Sequence, residues 1–216
     1  FMAKKPSSWQ LRFHTQTAGS MLTSQQPENN VVRVTLQALA AVLGGTQSLH
    51  TNGMDEALSL PTETTARIAL RTQQILATES GVADVIDPLG GSPYVEALQA
   101  ELEARAKALM AEVEAKGGPV AAIESGFVQR EILRSALAWQ RAVEKGEQPV
   151  VGVNTYQIEE TRPAIFHPGG DSQREVLADL EEVRRARDAA SVEAALDALE
   201  RAARGTDNVM PPILAA

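Results

Sequence analysis

Hydrophobic and polar positions along this chain fall into blocks that alternate short and long. The first short block, Leu11-Arg12-Phe13-His14-Thr15-Gln16-Thr17, is apolar at 11 and 13, turns abruptly polar, and is interrupted by Gly19. This pattern predicts a short buried strand within residues 7–17. A second block of the same form, Thr46-Gln47-Ser48-Leu49-His50-Thr51-Asn52, predicts another. A third short strand is expected over residues 83–87, ended by Pro88 and the Gly90-Gly91 pair. Between the first two lies a helical pattern over residues 29–43. Val31, Val32, Val34, Leu36, Leu39, Ala40, Val42 and Leu43 give it a broad apolar face, Arg33 and Gln37 lie outside it, and Gly44-Gly45 ends it. A further helix is predicted from Thr62, a suitable N-cap, to about Glu79. Strands alternating with helices are the βαβ pattern of a parallel sheet, so the fold class is α/β.

The second half reads as helical. Residues 92–116 carry an apolar stripe through Val95, Leu98, Leu102, Ala106, Leu109 and Val113, closed by Gly117-Gly118. Residues 119–145 predict two helices around Gly126, and residues 149–154 a short extended segment. After Gln157 the composition changes. Pro163, Pro168, Gly169 and Gly170 mark a linker over residues 158–172. A charged helical pair follows from 173 to about 204, broken near Ser191, where Ser191-Val192-Glu193 is expected to start the second helix. The last residues, 205–216, are expected to fray, because Pro211-Pro212 stops a helix. The expected organisation is therefore a domain over 1–157, a linker over 158–172, and a helical extension and tail over 173–216.

Composition changes this picture in three places. Aromatic residues are only 4% of the 216, so packing must rest on Leu, Val, Ile and Ala. The formal net charge of −8 argues against a nucleic-acid backbone as partner. The absence of cysteine excludes a disulfide framework or a thiolate metal site. No secretory, membrane-spanning or lipidation pattern is visible, so the expected compartment is the cytoplasm.

Several uncommon strings occur here in one order. They are Leu11-Arg12-Phe13-His14-Thr15-Gln16-Thr17-Ala18-Gly19, Gln25-Gln26-Pro27, Asn29-Asn30-Val31-Val32-Arg33, Gly44-Gly45-Thr46-Gln47-Ser48-Leu49-His50-Thr51-Asn52 and Asp55-Glu56-Ala57-Leu58-Ser59. Ile86-Asp87-Pro88-Leu89-Gly90-Gly91-Ser92 and Val151-Gly152-Val153-Asn154 continue the series. Over about residues 1–157 the chain resembles the large, catalytic chain of the cobalamin-dependent acyl-CoA mutases, such as methylmalonyl-CoA and isobutyryl-CoA mutase. The resemblance implies the C-terminal part of a TIM (β/α)8 barrel, entered just before its sixth strand. It implies a fragment, a split subunit or a processed product, because three strands cannot close a barrel of eight. The implied activity is a radical carbon-skeleton isomerisation of a short branched acyl-CoA with adenosylcobalamin. The implied partners are the remaining barrel segment and a cobalamin-binding domain or small subunit, in an oligomer; a nucleic acid or a membrane is not expected. An isolated piece is expected to be inactive. The rival reading is a non-catalytic subunit or interaction module of a mutase complex.

Site residues follow from both routes. Polar side chains at a strand's C-terminal mouth suit a ligand surface of a barrel, and His14, Gln16 and Gly19 sit at the first such point. The resemblance assigns Gln16 and Gly19, with His14 close by, to the corrin-facing rim. It assigns Glu56 and Ser59 to the same cofactor, and a carboxylate suits hydroxyls that donate hydrogen bonds. By themselves Asp55 and Glu56 read as acids of a solvated loop. His50 and Asn52 are expected to support these residues. A metal site from His14, His50 and Glu56 is the alternative, but no spacing here is diagnostic. Gly90-Gly91-Ser92 reads as the turn that begins a helix. No nucleophile elbow occurs, which removes a serine hydrolase.

Departures from the family pattern are also visible. Ser20-Met21 stands where many methylmalonyl-CoA mutases carry a tryptophan, which points toward the isobutyryl-CoA or a related branch. The D-x-H-x-x-G signature of the cobalamin-binding module does not occur; His167 has Ile165 two positions before it. The substrate-selecting residues of the family lie in earlier barrel strands.

Overall fold

The computed structural model describes residues 3–160, 165–166 and 169–215. It divides into two compact units, Phe1–Phe166 and His167–Ala216.

The first unit begins with a one-turn helix α1 (Pro6–Trp9), then β1 (His14–Gln16), α2 (Asn29–Leu43), β2 (Ser48–His50) and α3 (Glu63–Glu79). The strands are parallel, with His14 opposite Ser48 and Gln16 opposite His50. This is the expected βαβ unit, and its class is α/β. The first strand is shorter than expected because Pro6 starts a helical turn, a position where its missing N–H costs nothing. Nor is it buried: Leu11 and Phe13 are exposed.

The expected third strand is absent. Val82–Asp84 forms a 3₁₀ turn, and Val85 and Ile86 are exposed. Gly81 and Asp87 bracket this stretch with φ of +68° and +48°. An apolar run becomes a strand only where a neighbour offers hydrogen bonds, and no third strand lies beside it among the described residues.

α2 and α3 pack together and make the core with the strand ends. The buried face of α2 is Asn30, Val34 and Ala38, spaced four apart, and α3 answers with Thr65, Ala69, Thr72 and Leu76. That face is narrower than the apolar pattern predicted, since Val32 and Leu36 are exposed. Thr62 caps α3 as expected, its hydroxyl accepting from Thr65 N at 3.2 Å.

α4 (Pro93–Ala115), α5 (Pro119–Glu124) and α6 (Phe127–Glu144) follow. The stripe of α4 is present but uncovered; none of its residues is buried. Gly126, with φ of +71°, makes the left-handed turn between α5 and α6 that a side chain would strain. Phe127 is buried with the Lys116 ammonium 4.4 Å from its ring centre. The expected extended segment is a tight turn with a single bridge, Val151 to Thr155.

The second unit holds α7 (Gly170–Ala186), α8 (Ala189–Arg204) and α9 (Met210–Ala215). Two expectations are corrected. The break between the charged helices comes at Arg187-Asp188, because Asp188 is the better cap: its carboxylate accepts from Ala190 N and Ser191 Oγ. The tail is not frayed over its described part. Pro211-Pro212 lies in the first turn of α9, where proline is tolerated, and α9 packs on α8. Of the expected linker, residues 161–164 and 167–168 lie outside the described residues, and residues 170–172 already belong to α7. Among the described residues no helix is long and apolar enough to cross a membrane.

Candidate functional site

Because β1 and β2 are parallel and in register, their C-terminal ends open on one side. Thr17 N donates to His50 O at 3.0 Å, carrying the ladder one residue further. There the backbone pairing is replaced by a side-chain clasp. Thr17 Oγ1 donates to Asn52 Oδ1 at 3.0 Å, and Asn52 N donates to Thr17 Oγ1 at 3.0 Å. Both residues are buried, and their reciprocal bonds satisfy groups that the ended strands leave open. Thr51 ties the same end to α3: its hydroxyl donates to Ala69 O at 2.7 Å and accepts from Gln73 Nε2 at 2.9 Å.

Three of the five expected site residues gather at this clasp. Gln16 Nε2 donates to Asn52 Oδ1 at 3.4 Å. A Cβ on Gly19 would stand 2.8 Å from Asn52 Nδ2, 3.1 Å from Glu56 Cγ and 3.3 Å from Glu56 Oε1. So the volume a side chain would fill at 19 is taken by Asn52 and Glu56. Glu56 and Gln16 are exposed residues. Asn52 Nδ2, by contrast, is buried and has no hydrogen-bond partner. A donor left in that state costs free energy unless something accepts from it.

The other two stand apart. His14 precedes Gln16 by two residues and so points to the same sheet face, but its Nδ1 lies 2.7 Å from Ser48 Oγ, at the start of the strands. Ser59 Oγ donates to Leu60 O at 3.0 Å, within its own loop. His50 is exposed opposite Gln16. Among the described residues no group of three or more histidine, aspartate or glutamate side chains is placed to hold a metal ion.

Four residues matter more than their pattern suggested. Asp55 is not a solvated loop acid. It is buried, and its Oδ2 accepts from Thr65 Oγ1 at 2.7 Å and from Thr62 N at 3.2 Å, anchoring the Glu56 loop to the start of α3. Gln37, expected to face water, accepts from Ala18 N through Oε1. Arg33, also expected outside, donates to Thr23 Oγ1, Asn30 Oδ1 and Val151 O. Asn30, within the expected helix but not among its apolar positions, is completely buried. For Asn30, Arg33 and Gln37 the only sequence signal was a polar residue recurring inside an apolar helical pattern; Asp55, in a loop, carried none.

With this geometry in place, similarity to known proteins is informative. The methylmalonyl-CoA mutase family model matches residues 1–216. The chain is 49% identical, over 98% of its length, to the 2-hydroxyisobutanoyl-CoA mutase large subunit of Aquincola tertiaricarbonis, of which it covers 38%. It is 49% identical to the methylmalonyl-CoA mutase of Cereibacter sphaeroides over 97% of its length, covering 30% of that protein. It is 43% identical to that of Escherichia coli, over 97% of its length and 30% of the relative. These relatives are mutases, and mutases are isomerases. The chain belongs to the methylmalonyl-CoA mutase family, and it spans about a third of the length of the relatives it matches.

Proposed function

We propose that this chain supplies part of an adenosylcobalamin-dependent acyl-CoA mutase that isomerises a short branched acyl-CoA by a radical carbon-skeleton rearrangement. The βαβ unit is then the C-terminal part of a (β/α)8 barrel over residues 1–157, and the helices after residue 172 are an extension. Support comes from one observation above all. Gln16 and Gly19 from the end of the first strand, and Glu56 from the loop after the second, meet around one buried asparagine at the C-terminal ends of paired parallel strands, where barrels carry their ligands.

The residues present fit the cofactor. Amide-rich and hydroxyl-rich groups need donors and acceptors side by side, which Gln16 and Glu56 provide. The unpartnered Asn52 Nδ2 marks polar capacity at the same point that the chain itself leaves unused. Gln16, Gly19 and Glu56 hold the cofactor in this reading, with His14 and Ser59 at the edges. When bound, adenosylcobalamin supplies the adenosyl radical that begins the rearrangement; the protein orients it and keeps water out. Gln16 and Glu56 carry the orienting contacts. Asn52 acts on Gln16 by fixing its amide, and Asp55 acts on Glu56 by pinning its loop to α3.

Excluding water requires a closed barrel, which two strands do not make. The partners proposed are therefore the remaining barrel segment and a cobalamin-binding domain or small subunit. The "large subunit" in the name of the Aquincola relative is consistent with the latter. The cytoplasm is the compartment proposed.

The test is a spectroscopic titration with adenosylcobalamin of the mutase assembled from this chain and the missing barrel segment. Glu56→Ala and Gln16→Ala each weaken binding by about tenfold, the loss of one hydrogen bond to a buried polar group. Unchanged affinity in both variants rejects the assignment of this cluster to the cofactor.

A further inference from the structure

The fully buried Asn30 lies in none of the roles above, yet it uses every hydrogen-bonding position it has. Its Nδ2 donates to Thr23 O at 2.8 Å and to Met54 O at 2.8 Å. Its Oδ1 accepts from Thr23 N at 3.1 Å and from Arg33 Nη1 at 2.7 Å. Two N–H donors and two acceptor lone pairs are the whole capacity of an asparagine amide. Thr23 belongs to the loop after β1, which carries Gly19. Met54 belongs to the loop after β2, which carries Glu56. One side chain on the first turn of α2 thus closes onto both loops.

Arg33, one turn further along α2, extends the junction. Besides Asn30 it donates to Thr23 Oγ1 at 2.9 Å and to Val151 O at 2.8 Å. Gln26 Nε2 donates to Tyr156 O at 2.9 Å, holding the same distant turn. The turn over residues 148–157 is thereby drawn against the start of α2. Asn30 and Arg33 come from the string Asn29-Asn30-Val31-Val32-Arg33, which the cofactor reading leaves without a task.

We propose that Asn30, locked by Arg33, is a positioning residue that sets the loop after β1, which follows Gln16 and bears Gly19, at a fixed separation from the loop bearing Glu56 and Ser59. It touches none of the five proposed cofactor residues and acts through backbone groups of both loops. Its importance for catalysis rests on the cobalamin reading; the mechanical coupling does not. An apolar residue of similar size at 30 leaves Thr23 N, Thr23 O and Met54 O without their partner in a buried place. Aspartate keeps the acceptor for Thr23 N and Arg33 but sets a carboxylate oxygen against two carbonyls.

The experiment is hydrogen exchange, read by mass spectrometry on the full chain without cofactor, comparing Asn30→Asp, Arg33→Gln and Val34→Ala. Val34 is buried one turn from Asn30 and faces the core, so its truncation controls for general loss of stability. Asn30→Asp is expected to speed exchange about tenfold in residues 18–25 and 53–59 together, beyond what Val34→Ala does at matched thermal stability. Arg33→Gln, the milder change, is expected to loosen residues 18–25 and 148–157 and to leave residues 53–59 largely protected. Equal exchange in Asn30→Asp and Val34→Ala overturns the proposal. So does loosening of one site loop without the other. Should Asn30→Asp not fold, loosening of residues 53–59 in Arg33→Gln to the same degree as residues 18–25 overturns the assignment of the Met54 tie to Asn30. Loosened loops with unaltered cobalamin affinity in the assembled mutase leave the junction standing and count against the cobalamin reading instead.

Discussion

Gly19 illustrates how a single position is decided. Glycine at a strand end suggests close approach of a large ligand to the backbone. The structure provides a nearer reason: Asn52 and Glu56 already occupy the space of a Cβ. Gly19→Ala is expected to cost about 1–3 kcal/mol, the usual range for overpacking, and to push Glu56 outward. Thermal unfolding of Gly19→Ala, Asn52→Ala and the double variant tests this. Removing Asn52 relieves the clash, so the two losses should sum to more than the double variant shows. Strict additivity rules the clash out. Asp55 makes the complementary point. Its neighbour Glu56 is exposed while Asp55 is buried. Two adjacent acids differ because Thr62 and Thr65 offer donors to only one of them.

At the scale of elements, caps did most to set boundaries. Thr62 was legible from its place before a periodic stretch, and it starts α3 as read. Ser191 is not the cap of α8; Asp188, three residues earlier, captures both the Ala190 amide and the Ser191 hydroxyl. Those contacts, the Ser191 bond first and the Ala190 amide second, hold the Asp188 carboxyl below its ordinary 3.8. A carboxyl that binds its proton less tightly when folded stabilises the fold at pH above its unfolded value, and that contribution fades as pH falls below about 3.8. A carbon-13 titration should move the Asp188 midpoint up toward the ordinary value in Ser191→Ala. The stability gap between the native chain and Asp188→Ala should shrink as acid is added. A gap that does not shrink at all as the pH is lowered past 3.8 removes the cap from the explanation. Strands behaved differently from helices. The helices, with bonds closed within themselves, were readable nearly to their ends. The stretch at 83–87 has strand-like residues and no strand beside it, and its ladder does not form.

At the scale of the whole molecule, the first unit holds a two-stranded parallel sheet with large apolar side chains such as Leu11 and Ile132 in the open. Two strands do not enclose a site. The chain alone, given adenosylcobalamin and either methylmalonyl-CoA or isobutyryl-CoA, is therefore expected to show no isomerase turnover. Coupled chromatography of the acyl-CoA products measures it directly. Turnover without added polypeptide ends the proposal that the site needs completing.

The order of residues by itself determined the α/β class, helices α2 to α8 to within a turn, and the family, because periodicity and caps are local and the strings that carry the resemblance are uncommon. It also placed Gln16 at the end of the first strand, and Gly19 and Glu56 in the loops that follow the two strands. Only the tertiary structure decided that these three meet at Asn52, that Asn30 and Arg33 turn inward, and that Asp55 is buried. Those outcomes depend on which backbone groups two ended strands leave unpaired, and on side chains 7 to 118 positions away that reach them. A polar residue inside an apolar stripe is ambiguous until its partners are in place; burial without them would cost more than a core position returns.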